Sequence, residues 1–178
     1  AEGAQAYRRA LSIDPESIDA NWNLGLCLML QGELENGWDR LEWRWKHASF
    51  ASRVRPYAQP YLDKNHDVRG KTVLVYAEQG LGDTLHFCRY VPLLVRAGAR
   101  VKLEVQGSLI PLLSQFDGLN DIFPLNENRA GEFDFHCSVL SLPRAFGTTL
   151  ESIPASIPYL CSDMHAVKKW AARLGRKS

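Results

Sequence analysis

The sequence has no apolar run that approaches the roughly 18 residues a membrane span needs, so it predicts no transmembrane segment. It also lacks an excess of charge of either sign, since it has 21 basic and 20 acidic residues. A nucleic-acid-binding surface is therefore not expected. The four cysteines are scattered, and no two are spaced as C-x-x-C (Cys27, Cys88, Cys137, Cys161). This spacing predicts free thiols in a reducing compartment, no metal site and a cytoplasmic location.

The composition that is present is typical of a folded globular protein, with 46% hydrophobic and 23% charged residues. A length of 178 residues suits one ordinary domain with an appendage. The spacing of apolar residues divides the chain into four predicted parts. Residues 1–46 are helical, residues 47–69 form a linker, residues 70–161 alternate between strands and helices, and residues 162–178 form a last helix.

Within residues 1–46, apolar side chains recur at helical spacing in three stretches. Their order resembles the tetratricopeptide repeat, whose period is about 34 residues. The matching positions are Tyr7, Ala10, Pro15, Leu24, Gly25, Leu28 and Gly32. Gly3, Gly37 and Arg44 depart from the repeat, which usually has alanine at those places. Because such repeats need about three copies to be stable, the resemblance implies a longer array; the alternative is a plain helical appendage.

The predicted linker, residues 47–69, shows no periodicity and contains Pro56 and Pro60, which interrupt regular structure. We expect it to run along the surface and to tie the helices to the following domain. Its basic residues either line a cleft for an anionic ligand or are simply solvated (Arg53, Arg55, Lys64, Arg69).

The part from residue 70 to 161 shows short strand patterns alternating with helical ones. Strands are predicted at residues 72–77, 100–105, 121–123 and 133–138. One helix is predicted to begin at Asp83 and to stop at Gly98, with a kink at Pro92. This alternation predicts an α/β fold with a Rossmann-like parallel sheet.

The candidate site is the stretch TVLVYAEQGLGDTLHFCRY, residues 72–90, which predicts a buried strand, a turn and a helix. Gly80 and Gly82 are expected to bend the backbone and to leave a surface without side chains. Asp83 is predicted as the N-cap of the helix, where the ionised carboxylate is favoured. Open α/β sheets bind ligands at this end of their strands. Capping alone accounts for Asp83 equally well, so both roles stay open.

A dinucleotide site is one alternative for the same turn. Gly80 and Gly82 match the first two glycines of G-x-G-x-x-G, but Leu85 stands where the third is required. Glu104 follows near the place of the acid that binds the ribose. The fingerprint is therefore only partly present.

Four segments extend the comparison to nearly the whole chain: GWDRLEWRW (37–45), EQGLGDTLHFCRY (78–90), DFHCSVLSLPRAFGTTLESIP (134–154) and IPYL (157–160). Together they resemble bacterial tetratricopeptide-repeat proteins with a glycosyltransferase domain, which are similar to heptosyltransferases. The resemblance implies the GT-B fold, in which two Rossmann-like domains face each other across a cleft. It places the acceptor mainly on the first domain and the nucleotide-sugar mainly on the second.

The resemblance also implies roles for particular residues. Asp83 matches the aspartate of the L-G-D motif, the proposed general base of an inverting, metal-independent transfer without a cofactor. Independently of the resemblance, positions in the turn, on the helix and at the carboxyl ends of strands make further residues candidates for binding substrate: Glu78, Gln79, Gly80, Gly82, His86, Gln106, Ser138 and Ser141. His86 has the alternative role of a plain surface residue, and the two serines that of strand-end caps.

The expected partner is a sugar acceptor, which is a glycan, a lipid or a protein. The 178 residues do not reach a second domain, so most of the donor groove is expected outside them and this segment alone is expected to be inactive. A different class of function also fits the sequence. In it, the helices bind a protein partner and the sheet domain is an inactive scaffold.

Overall fold

The computed structural model of the protein describes residues 2–119, 121–127 and 129–175. Its first part consists of three successive helices, α1 (Glu2–Ile13), α2 (Ile18–Leu30) and α3 (Leu34–Leu41). Two short 3-10 helices follow, at Glu42–Lys46 and Ala48–Arg53. The predicted helical character of this part is thus observed, although the α-helical geometry ends at Leu41.

The end predicted for α2 at Gly32 is confirmed. Gly32 has a φ of 82°, in the left-handed region that glycine adopts without strain. Its N–H donates to the carbonyl of Met29, and the N–H of Glu33 donates to the carbonyl of Leu28. These two bonds satisfy carbonyls that the helix leaves without partners, so a local signal ends α2.

Helices α2 and α3 approach each other closely through two glycines. A Cβ placed on Gly25 meets the carbonyl oxygen of Gly37 and the amide nitrogen of Leu41, each at 3.1 Å. A Cβ on Gly37 in turn lies 3.3 Å from the carbonyl oxygen of Gly25. The absence of side chains at Gly25 and Gly37 therefore allows a close contact between the two backbones.

The second part contains a four-stranded sheet with the order β3-β2-β1-β4 and only parallel pairs. The strands are β1 (Thr72–Tyr76), β2 (Arg100–Val105), β3 (Asp121–Pro124) and β4 (Phe135–Ser138). Strand β1 pairs on both sides, and its last four residues are buried. The mixed α/β class with a parallel sheet is confirmed, and the layout is consistent with a Rossmann-like fold.

The described ranges contain five further α-helices: α4 (Leu81–Phe87), α5 (Val91–Arg96), α6 (Ile110–Leu113), α7 (Leu142–Ala145) and α8 (Met164–Leu174). The prediction of one helix with a kink at Pro92 is wrong. The chain forms two helices separated by a 3-10 turn at Cys88–Tyr90, and Pro92 lies in the first turn of α5. There its missing N–H leaves no hydrogen bond unmade.

The two faces of the sheet are covered differently. One face packs against α5 and α6 in the main core, with fully buried residues such as Val75, Leu103, Leu94 and Leu113. The other face presents Leu74, Tyr76 and Phe123, which are covered by aromatic side chains from outside the sheet (Trp45, Tyr57, Phe133).

Residues 47–69 therefore do more than run along the surface. Phe50 and Leu62 are buried, and the N–H of Leu62 donates to the carbonyl of His136 at 2.8 Å. Tyr61 forms an isolated parallel bridge to His136 beside β4. Isolated residues of this segment enter the core one by one, which explains why its sequence shows no period. Within the described ranges, no helix is long and apolar enough to cross a membrane.

We predict that Gly25→Ala destabilises the protein. Alanine favours a helix over glycine by roughly 1 kcal/mol, but overpacking against the α3 backbone costs about 1–3 kcal/mol. The measurement is the free energy of unfolding in urea. Gly3→Ala is the matched control, because its Cβ lies 3.6 Å from Cys27 Sγ, an ordinary contact. A stability gain in both variants contradicts the close packing of α2 on α3.

Candidate functional site

The candidate site is the turn between β1 and α4, at the carboxyl edge of the sheet. Gly80, Leu81 and Gly82 are exposed there, and Asp83 is partly exposed. The ends of β2 and β4 lie on either side of β1 at the same edge, because the three strands are parallel neighbours. The structure thus has an open surface at the place where parallel sheets bind ligands.

Asp83 is not the N-cap of its helix, so that prediction is wrong. Helix α4 begins at Leu81, its N-cap is Gly80, and Asp83 is the third helical residue. The Gly80 N–H donates to Asp83 Oδ2 at 3.1 Å. The aspartate side chain therefore reaches back to the cap residue, as in half of a capping box. Among the described residues, no cation forms an ion pair with this carboxylate.

The backbone of the turn does not require its glycines. Gly80 has a φ of −73°, and Gly82 is not among the described glycines with positive φ. A Cβ on Gly82 meets no atom within 4 Å, and one on Gly80 lies 3.4 Å from Asp83 Oδ2. The expected sharp, glycine-dependent bend is thus absent. What the glycines provide is an edge without side chains.

The side chain of Gln106, the residue after β2, fastens the turn to the end of that strand. Its Nε2 donates to the carbonyl of Gln79 at 2.8 Å. Its Oε1 accepts a hydrogen bond of 3.0 Å from Thr84 Oγ1. One side-chain amide thus bridges the residue before the turn and the first turn of α4. Gln79 and Gln106 lie together at the site, both partly exposed.

Glu78 is buried and bound to a guanidinium from the helical part. Arg44 Nε donates to Glu78 Oε1 and Arg44 Nη2 donates to Glu78 Oε2, each at 2.8 Å. Both side chains have no exposed surface. This two-pronged geometry matches the planar guanidinium to the carboxylate. Glu78 was expected to bind substrate, but its carboxylate is engaged within the protein.

The two serines belong to the same buried network. Ser138 Oγ donates to Glu78 Oε2, and Arg44 Nη2 donates to Ser141 Oγ at 2.7 Å. Ser141 Oγ donates in turn to Glu42 Oε1 at 2.6 Å. Ser138 Oγ also accepts from the N–H of Leu140, which is the strand-end capping role. The hydrogen bonds of both serines are therefore made inside the protein.

The charge on Arg44 is maintained by its carboxylate partners. Burial by itself lowers the pKa of Arg44, but the hydrogen bonds and attraction from Glu78 and Glu42 outweigh it, so the pKa is raised above its ordinary value. Glu42 Oε1 accepts from Arg44 Nη1 at 2.8 Å and keeps a small exposed surface. The network holds one cation between two anions.

His86 lies on the exposed side of α4 and stacks edge-on against Phe87, with 4.7 Å between ring centres. Within the described ranges, no hydrogen bond or ion pair joins it to Asp83.

The carboxylate of Glu104 is engaged by groups within the protein. Its oxygens accept from Arg55 Nη1 at 2.8 Å and from the N–H of Asn126 at 3.0 Å. It is 2% exposed, so it offers no free carboxylate for a ribose.

Sequence reasoning missed Arg44, Glu42 and Thr84. Arg44 did carry a signal, since a charged residue stands where the repeat pattern has a small buried one. Its partner could not be read from the sequence, because Arg44 and Glu78 are separated by 34 residues.

The fold and the turn define an α/β protein with a parallel sheet and an aspartate at the exposed carboxyl edge of the central strand. Comparison with protein-family models, curated proteins and solved structures finds no match for the chain.

We predict that Arg44→Met costs about 3–5 kcal/mol of stability, because it leaves the Glu78 carboxylate buried without a cation. The double variant Arg44→Met with Glu78→Gln is expected to recover a large part of this loss. Urea unfolding of the two single variants and the double variant measures the coupling.

The control is Arg69→Met, which breaks an ion pair with Asp67 whose side chains are 81% and 60% exposed. We expect its unfolding midpoint to stay unchanged. Additive losses at Arg44 and Glu78 would refute the coupling.

Proposed function

We propose that the chain is the acceptor-side part of a glycosyltransferase of the two-domain GT-B type, preceded by the end of a tetratricopeptide array. The observation that carries the proposal is the position of the Asp83 carboxylate and its hydrogen bonding. Its carboxylate lies at the open carboxyl edge of the sheet, held by the Gly80 N–H and paired with no cation in the described ranges. The resemblance of residues 78–90 to the heptosyltransferase-type motif supports the same role.

In the proposed reaction, Asp83 acts as general base toward an acceptor hydroxyl. The carboxylate takes the hydroxyl proton while the acceptor oxygen forms a bond to the anomeric carbon of the donor sugar. The bond between that carbon and the nucleoside diphosphate breaks, and the diphosphate leaves with the electron pair. Attack opposite the leaving group inverts the configuration. In this proposal, a second Rossmann-like domain binds most of the donor.

The geometry of the turn suits this role for Asp83. Oδ2 is held by the Gly80 N–H, and in the part of the chain described here Oδ1 has no hydrogen-bond partner. One oxygen thus fixes the side chain while the other is available for a proton.

The remaining predicted residues divide into two groups in this proposal. Gly80, Gly82 and His86 are exposed and face an acceptor, with Gln79 and Gln106 at the base of the turn. The buried members of the network support the turn from below and do not touch the acceptor (Glu78, Ser138, Ser141).

A second candidate function is protein binding by the helical part. A groove of about 600 Å³ runs between α1, α2 and α3. Its walls combine apolar, charged and aromatic side chains (Arg8, Asn21, Leu24, Leu28, Glu33, Trp43). In this alternative the sheet domain is an inactive scaffold.

We predict that Asp83→Asn in the full-length parent protein lowers the transfer rate by about 100-fold or more, the range for loss of a general base. The assay supplies radiolabelled nucleotide sugars one at a time, with an extract of the source cells as acceptor. Transfer of label and release of nucleoside diphosphate are both measured. Asp83→Glu separates catalysis from capping, because glutamate keeps the reciprocal cap at this position but displaces the carboxylate.

Full activity of Asp83→Asn in a folded protein contradicts the assignment of Asp83 as the general base. A parent that transfers no sugar from any donor, while its helices retain a bound partner, supports the scaffold function instead.

We predict that Gly82→Ala lowers activity while the fold is stabilised or unchanged. A Cβ at this position meets no protein atom within 4 Å, and alanine is the better helix former by roughly 1 kcal/mol. A loss of activity therefore reports a ligand that lies against the backbone. Thermal unfolding and the transfer assay are measured on the same sample. Unchanged activity means that no substrate approaches residue 82 closely.

A further inference from the structure

Helix α8 is formed by local signals and is exposed on all sides. Asp163 Oδ1 accepts a hydrogen bond of 2.7 Å from the N–H of Ala166, which caps the first turn. Gly175 ends the helix with a φ of 69°. Every residue from position 161 to position 175 is exposed, so the other residues that the structure describes do not bury the apolar side chains of α8.

The apolar residues of α8 lie on one side of the helix. At 100° per residue, Met164, Val167, Trp170, Ala171 and Leu174 fall within an arc of about 120°. The four large members are 66%, 42%, 54% and 78% exposed, in the order Met164, Val167, Trp170 and Leu174. This α8 stripe is thus a continuous apolar surface that faces solvent.

The other side of α8 is basic. Lys168, Lys169 and Arg173 lie outside the stripe, together with His165. Lys168 and Arg173 border it on opposite edges, and the Arg173 guanidinium is 5.5 Å from the ring centre of Trp170. The helix itself contains no aspartate or glutamate, since Asp163 precedes it as the cap. An apolar surface flanked by cations suits a partner that is apolar inside and anionic at its boundary.

We propose that α8 binds the surface of an anionic lipid bilayer, with its stripe in the acyl boundary and its cations at the phosphates. The helix is about 16 Å long, half of a hydrocarbon core, so it lies in the plane of the surface. Tryptophan is enriched at this depth, and the long stems of lysine and arginine let their charges reach the headgroups. A second copy of α8 is a poorer partner, because it brings the same positive charge. The inference does not rest on the proposed function.

The experiment is cosedimentation of the full chain with vesicles of phosphatidylglycerol and phosphatidylcholine, compared with vesicles of phosphatidylcholine alone. We expect binding to the anionic vesicles and a roughly 10- to 100-fold loss of affinity in the variant Lys168→Gln/Lys169→Gln/Arg173→Gln. The matched control is Arg53→Gln/Lys64→Gln/Arg69→Gln, which removes the same charge from exposed positions elsewhere. This control is expected to bind like the unaltered chain.

The stripe is tested separately by Trp170→Ser, which is expected to weaken vesicle binding without unfolding the protein, since Trp170 is more than half exposed. The blue shift of tryptophan emission on anionic vesicles is expected to vanish in Trp170→Phe. Several results overturn the proposal: no binding to anionic vesicles, equal binding to neutral ones, or an equal loss in the control variant. A dimer that dissociates on Trp170→Ser, or an acidic protein captured by α8 in place of lipid, overturns it as well.

Discussion

The buried ion pair of Arg44 and Glu78 is the interaction on which the arrangement of the two parts depends. It joins a 3-10 turn of the helical part to the residue two places before Gly80, through two hydrogen bonds of 2.8 Å. Two charges removed from water are stable only in a narrow geometry, and the energetic gain over apolar packing is small. What the pair supplies is a defined position of the helices on the end of β1.

The Arg44–Glu78 pair also helps to fix the position of the candidate site. The segment from Glu78 to Thr84 is held at its beginning by Arg44 and at both ends of the turn by the Gln106 amide. Within the turn, Asp83 accepts from the Gly80 N–H. The side chains that fix the turn thus come from three elements, while its outer edge stays open. Support of this kind beneath a partly exposed carboxylate is the arrangement that the proposed general base needs.

Much of the fold was predictable because strands and helix ends depend on neighbouring residues. The prediction for residues 100–105 agrees with β2, and the stop at Gly32 is confirmed. The errors have two different causes. At α4 the cause is local, since Asp83 caps the helix from its third position through a hydrogen bond from the Gly80 N–H. At residues 47–69 the cause is tertiary, since single side chains such as Phe50 enter the core. No periodic pattern reports contacts of that kind.

By itself, the sequence determined the four strands of the sheet, the α/β class and the place of the turn at the end of β1. Apolar periodicity and glycine positions act over a few residues, and they suffice for that. Only the tertiary structure decided which polar residues of the turn face solvent. Glu78 and Asp83 are both acids near the same strand end, yet one is buried by Arg44 and the other is partly exposed. The difference arises because the partner of Glu78 lies 34 residues away in the chain, beyond the reach of any local pattern.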